Sequence, residues 1–181
     1  MAVPELRLAR LDEADAIDAL MKASTRDLFP AYYDASQTRG AIEYIASVDR
    51  ALIADGTYFA ADVNHELIAC GGWSRRDKLY TGSGDASGDA RLLDPSREPA
   101  RVRAMFVRAD WTRRGLGRRI LIACEEAARD EGFRTLALMA TLPGKPLYEA
   151  YGFIATGDAD VRLPDGQVLA CVAMEKPISG S

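Results

Sequence analysis

The chain has 181 residues, with 23 Lys+Arg against 27 Asp+Glu and a formal net charge of -4, which argues against nucleic-acid binding through bulk positive charge. A length of this order suits a single domain over residues 1–181, able to bury about 70% of its unfolded surface without staples. The three cysteines are far apart and set in apolar runs, which suggests neither a disulfide framework nor a metal site. The absence of a long apolar segment, at the start or elsewhere, predicts a cytoplasmic protein without membrane contact.

In chain order, Leu6 and Leu8 alternate with polar neighbours as a short strand, and Asp12 is the expected N-cap of a helix carrying Ile17, Leu20 and Met21. Residues 28–33, with Phe29, Tyr32 and Tyr33, break that pattern. A second helix is expected over residues 36–53. Residues 57–63 and 66–73 read as a hairpin about Asn64-His65. Gly71 and Gly72 would weaken the second strand unless a backbone or ligand approaches closely there. His65, at the turn, reads as a solvated loop residue. Residues 74–100 are rich in Gly, Ser and Asp and read as a flexible loop. Its glycines only faintly resemble a phosphate loop, and its aspartates a calcium loop.

Residues 101–132 are the organising stretch. Val102, Met105 and Val107 form an apolar strand, and Thr112-Arg113-Arg114-Gly115-Leu116-Gly117-Arg118-Arg119 opens a helix. Its apolar stripe runs through Ile120, Leu121, Cys124 and Ala128. Glu125 and Arg129 are spaced for a surface pair, and Gly132 for the helix stop. The first turn of a helix has backbone N–H groups without partners and a partial positive charge, so an anion is stabilised there. At Gly115 and Gly117 a β-carbon would stand where phosphate oxygens need to sit. Taken alone, the pattern fits an ordinary strand-to-helix turn with solvated arginines equally well.

Residues 134–140 form another apolar strand. Pro146 and Gly152 bracket a short helix over 147–151. Strands at 153–156 and 168–174 follow, joined through Pro164-Asp165-Gly166. Alternating strands and helices give an α/β class.

The run from Trp111 to Leu121, with Arg113-Arg114-Gly115-Leu116-Gly117 at its centre, resembles the acetyl-CoA motif of the GCN5-related N-acetyltransferases. Pro146-Leu147-Tyr148-Glu149-Ala150-Tyr151-Gly152-Phe153 is similar to the family's later motif. Two departures are Thr112, where the family usually has Gln or Arg, and Thr141, where an asparagine is common. The resemblance implies a mixed, partly antiparallel central sheet with flanking helices, and a splayed strand pair that holds acetyl-CoA. It implies contacts from Phe106 and Val107 to the pantetheine arm, and an acceptor side of the cleft lined by the first two helices and the aromatic loop between them. Thr112, Arg113, Arg114, Gly115, Leu116, Gly117 and Arg118 would meet the pyrophosphate. Tyr148 would be the general acid, with Tyr151 structural and no metal required. The activity implied is acetyl transfer to a primary amine of a small molecule or peptide, with homodimer formation left open. A non-catalytic acyl-CoA sensor is the alternative, and a different nucleotide-binding protein a third. Glu43, Glu66 and Asp77 are candidate bases by location only, and a water chain serves equally well, so no base is named.

Overall fold

Seven strands hydrogen-bond into one sheet among the residues that the computed structural model describes, 2–80 and 91–180. They are β1 (Glu5–Leu8), β2 (Tyr58–Val63), β3 (Glu66–Ser74), β4 (Ala100–Val107), β5 (Thr135–Thr141), β6 (Ile154–Arg162) and β7 (Val168–Pro177). Their spatial order is β1-β2-β3-β4-β5-β7-β6. Every neighbouring pair is antiparallel except β4 with β5. Helices α1 (Ala14–Leu28), α2 (Ala35–Tyr44), α3 (Arg50–Ala54), α4 (Leu116–Asp130) and α5 (Lys145–Tyr151) complete the expected α/β architecture.

Periodicity explains the layers. The buried stripe of α4, with Ile120, Leu121 and Cys124 fully covered, packs with Ile68, Val102, Leu136 and Leu138 of the sheet. The stripe of α1, Ile17, Leu20 and Met21, joins a separate cluster with Tyr58, Ala60 and Cys70. A third cluster seats Phe29, Tyr33 and Ala41 on Val161, Leu169 and Cys171. The β2–β3 turn places Asn64 at φ 50° and His65 at φ 66°, the left-handed pair that a two-residue hairpin turn of this hand requires. Helix α4 ends at Gly132, φ 93°, as its sequence predicts.

Several expectations are corrected. Asp12 is not an N-cap: it lies in a 3-10 turn, Leu11–Glu13, and the Arg10 N–H donates to Glu13 Oε2 at 2.9 Å. Arg7 draws the Glu13 carboxylate over this entry, at 2.6 Å, which leaves Asp12 in solvent. The helix expected over 36–53 is two, because the chain breaks after Tyr44 and restarts at Arg50. Two polar side chains of α1 take up the freed backbone groups, Lys22 donating to Ala46 O at 2.7 Å and Asp18 accepting from Val48 N at 3.0 Å. The strand expected at 153–156 runs to Arg162. Its outer position leaves most side chains exposed, so Gly157, Asp158 and Asp160 show no apolar alternation. Glu125 does not pair with Arg129 on the surface; it is 8% exposed and bonds to Lys176 at 2.6 Å.

Of the 74–100 stretch, residues 81–90, including the glycine and aspartate patterns, lie outside the described residues. The two flanks pair with each other, Asp77 N to Arg91 O at 3.0 Å and Leu93 N to Arg75 O at 2.8 Å.

Candidate active site

The site begins with a misfit between strands. Strands β4 and β5 pair only at Ala100 with Leu136 and Arg101 with Ala137, and no later residue of β4 is paired with β5. On the opposite side, Cys70 faces Phe106 while Gly72 faces Arg103, so β4 carries one extra residue there, a β-bulge that bends the strand. Ala104 takes up the irregularity at φ 52°, a left-handed conformation costing roughly 1–2 kcal/mol for a residue with a β-carbon. Three contacts hold it. Tyr58 donates its hydroxyl to Ala104 O at 2.7 Å, Ser24 donates to Val107 O at 2.7 Å, and buried Arg103 pairs with Asp49 at 2.9 Å. Burial alone would raise the Asp49 carboxyl, but the hydrogen bond and charge of Arg103, with Lys78 beside them, hold it below its usual range. The expected close approach at Gly71 and Gly72 is present: added β-carbons would collide with Met105 and with the Thr57 carbonyl.

Where the strands part there is a cavity of about 540 Å3. Phe106, Val107, Thr112, Arg113, Gly115, Leu116, Gly117, Arg118 and Tyr148 all line it. Arg114 does not: its guanidinium lies over the Trp111 ring, 4.5 Å from the centroid. Arg119 also turns away, donating to Pro4 O at 3.1 Å.

The turn before α4 is shaped by two left-handed residues, Arg113 at φ 60° and Gly115 at φ 81°. The first helical bond is Arg119 N to Gly115 O at 3.0 Å, so the N–H groups of Leu116, Gly117 and Arg118 have no carbonyl one turn back. No side chain caps them. Beyond Gly115, where a β-carbon would point, nothing lies within 4 Å. Gly117 differs from its expectation: a β-carbon there would meet Leu147 Cδ2 at 2.6 Å, so its smallness lets α5 pack on α4. Thr112 spends its hydroxyl on Ala109 O at 2.9 Å.

Tyr148 is 8% exposed, its ring edge-on to Phe153 with centroids 5.8 Å apart. Among the described residues its hydroxyl has no hydrogen-bond partner. Burial pushes its pKa well above the ordinary tyrosine value, with a smaller push from Cys124. Tyr151 is off the cavity and donates to Glu125 Oε2 at 2.5 Å. Of the candidate bases, Glu66 pairs with Arg108 at 3.3 Å and Asp77 with Arg101 at 3.0 Å. Neither these nor Glu43 lines the cavity, and no carboxylate or histidine among the described residues does. No group of three or more His, Cys, Asp or Glu that could hold a metal was found among them either, nor any helix long and apolar enough to cross a membrane.

Phe29 and Tyr32 of the aromatic loop line the far wall, while Tyr33 is spent on Ala170 O and Leu142 N at 2.8 and 3.0 Å. Ser24, Ile45, Tyr80, Val161, Leu169 and Cys171 carried no sequence signal, since each reads as helix, loop or core in its own segment.

Comparisons with known proteins agree with this geometry. An acetyltransferase (GNAT) family model matches residues 17–153. An uncharacterized N-acetyltransferase from the hisH-hisA intergenic region of Azospirillum brasilense is 31% identical over 125 residues, 68% of this chain and 72% of that protein. The fold is similar to a GCN5-related N-acetyltransferase structure from Rhodopseudomonas palustris, with TM-score 0.73 and 20% identity, over 98% of this chain and 97% of that one. It is similar to the PaiA N-acetyltransferase of Thermoplasma acidophilum, solved with coenzyme A, with TM-score 0.69 and 14% identity, over 97% of this chain and 99% of that one. With a family match across most of its length, the parted strand pair and the open amide turn, the chain belongs to the acetyltransferase (GNAT) family.

Proposed function

We propose that the protein transfers an acetyl group from acetyl-CoA to a primary amine by direct attack, with both substrates bound in one cavity. The observation that carries this reading is that an uncapped turn of amides and an unpartnered tyrosine hydroxyl open into the same gap between parted strands. The residues present fit the group. Gly115, Leu116, Gly117 and Arg118 would offer backbone N–H groups to the pyrophosphate, with Thr112 and Arg113 at their rim and Arg114 adding charge from outside the wall. Phe106 and Val107 would lie along the arm. The dipole contributes only about 0.3–1 kcal/mol, so directed hydrogen bonds carry most of the binding.

Acetyl-CoA supplies the acyl group as a thioester, whose thiol leaves readily because its pKa is near ~8.5. Tyr148 stays protonated at neutral pH and can donate to the sulfur as negative charge develops there. Burial makes it a weaker acid, but the same burial raises the proton affinity of a thiolate formed beside it, so donor and acceptor stay matched. An alkyl amine of pKa near ~10.4 is neutral about one part in a thousand at pH 7.4, equivalent to roughly 4 kcal/mol. Water reached through the cavity mouth is the proposed proton acceptor, since the described wall holds neither carboxylate nor histidine. The same feature favours one second reading, a sensor that binds acyl-CoA without transfer. A cytoplasmic setting belongs to the proposal and agrees with three buried free thiols.

Calorimetric titration with acetyl-CoA beside ATP and NADH, followed by thiol release in the presence of amines, tests both readings. Selective acetyl-CoA binding with amine-dependent thiol release supports transfer. Binding without release supports the sensor, and a preference for ATP or NADH refutes both.

A further inference from the structure

The end of the cavity away from the amide turn has a chemistry of its own. Its wall includes Leu28, Phe29 and Tyr32 from the end of α1 and the turn after it, Tyr80, and Leu169 and Cys171 of β7. None of the six is an acidic or basic residue type, and burial pushes the Cys171 thiol up to about 11. Among the described residues, the charged ones that line the cavity are arginines. Arg113 and Arg118 flank the amide turn, and Arg103 directs its guanidinium to Asp49 at 2.9 Å. Two carboxylates on neighbouring elements are engaged elsewhere, Asp49 also meeting Lys78 at 3.4 Å and Asp77 pairing with Arg91 at 3.2 Å and Arg101 at 3.0 Å, while Asp160 of β6, whose charge also raises the Cys171 thiol, does not line the cavity.

Resting on the acetyltransferase reading above, we propose that the acceptor is a weakly basic amine on a compact aromatic body, an arylamine. An alkylammonium entering this end loses hydration and meets no carboxylate among the described residues that line it. It must also shed a proton where no described side chain can take it. An arylamine arrives neutral, which removes the roughly thousandfold penalty that an alkyl amine carries at pH 7.4. Its ring suits a wall with the aromatic faces of Phe29, Tyr32 and Tyr80, which favour offset or edge-on ring contacts. The step balances simply. The nitrogen lone pair forms a bond to the thioester carbonyl carbon, the carbon–sulfur bond breaks, and sulfur keeps its electron pair and takes a proton from Tyr148. The nitrogen loses one proton to solvent, and solvent restores that of Tyr148, leaving an amide and a free thiol.

The test is thiol release by the full chain at saturating acetyl-CoA with 4-methoxyaniline, 4-methoxybenzylamine and spermidine as probes. The expected result is a kcat/KM for the aniline at least about tenfold above the benzylamine and about a hundredfold above spermidine. Its rate should be nearly flat above neutral pH, where an alkyl amine's rises about tenfold per pH unit. Tyr32 is half exposed, so Tyr32→Glu should fold normally. It is expected to shift the preference at least about tenfold toward spermidine by supplying the missing negative charge. Equal or better use of the benzylamine or spermidine by the unaltered protein overturns the inference, as does an unchanged preference in Tyr32→Glu. If acetyl-CoA binds yet the aniline is inert, this inference falls and the cofactor cradle stands. If acetyl-CoA does not bind, the proposed function falls and takes this inference with it.

Discussion

Removing one oxygen atom, by Tyr148→Phe, separates the chemical role of this residue from its packing. The ring is buried against Phe153 and keeps that contact in the variant. The hydroxyl has no partner among the described residues, so its loss leaves no protein group unpaired. Deleting a hydroxyl that opens into the cavity without a described protein partner should leave stability nearly unchanged. Catalysis should respond instead. A hydrogen bond to a developing thiolate is worth about 1.5–3 kcal/mol, roughly 10- to 150-fold in rate. A positioned general acid contributes about 10²–10⁴. With no competing hydrogen bond to divide the hydroxyl's role, the expected fall in kcat is about 10²–10⁴. Acetyl-CoA affinity should hardly change, because the amide turn does not involve this oxygen. Thiol release with the best acceptor, calorimetry and thermal melting read the three quantities. A kcat within about threefold of the unaltered protein would remove Tyr148 from the acid role, and a lowered Tm would mean that the hydroxyl has a structural partner.

Three further outcomes follow from the same geometry. Gly115→Ala faces open space but must hold φ 81°, so it should cost about 1–2 kcal/mol in urea unfolding and weaken acetyl-CoA binding in calorimetry. Gly117→Ala must displace Leu147, 2.6 Å away, and should cost about 1–3 kcal/mol while lowering turnover more than affinity. Asp49→Asn removes the carboxylate paired with a guanidinium whose side chain is 2% exposed and should cost up to about 3–5 kcal/mol by denaturant unfolding, with the double variant Asp49→Asn, Arg103→Met losing less. For Glu125, burial alone would raise the carboxyl, but hydrogen bonds from Lys176 and Tyr151 outweigh it and hold the folded value below 4.5. Its contribution is therefore complete above that ordinary value and is lost as pH falls through the lowered one. The stability deficit of Glu125→Gln should be largest near neutrality and shrink in acid, as pH-dependent melts would read.

Helix α4 was legible because fifteen residues of 3.6-fold period and a terminal glycine all point one way. The hairpin at Asn64-His65 was legible because both residues tolerate left-handed backbone. The parting of β4 from β5 could not be seen in the residues themselves. It depends on Ala104 in a conformation that its side chain disfavours, held by Tyr58 and Ser24 from distant segments. Glu125 misled for a related reason: its polar position on the helix predicts solvent, but Lys176, 51 residues on, covers it. Gly117 shows the same limit. A glycine beside a helix start reads as room for a ligand, yet here it makes room for Leu147. Local pattern reports local conformation, while cavity walls assembled from α1, β5 and β7 depend on tertiary neighbours that no single window contains.

One topological feature accounts for why the two motifs, some thirty residues apart, open into one cavity. Strands β4 and β5 are the one parallel pair among the described strands, so their C-terminal ends lie side by side. Each strand there launches a helix, β4 into the turn before α4 and β5 into α5 with Tyr148. The strands are paired at their N-terminal residues, Ala100 and Arg101 with Leu136 and Ala137, so the gap opens at the C-terminal ends and nowhere else along the pair. Ligands of open α/β sheets commonly settle outside those ends. In this chain the position brings the uncapped helix start and Tyr148, the proposed anion site and proton donor, to one opening. An antiparallel arrangement of the same two strands would put the two helix starts at opposite edges of the sheet, about a strand length apart. The direction of a single strand pair thus decides whether the turn at Arg113 to Arg118 and Tyr148 open into one cavity.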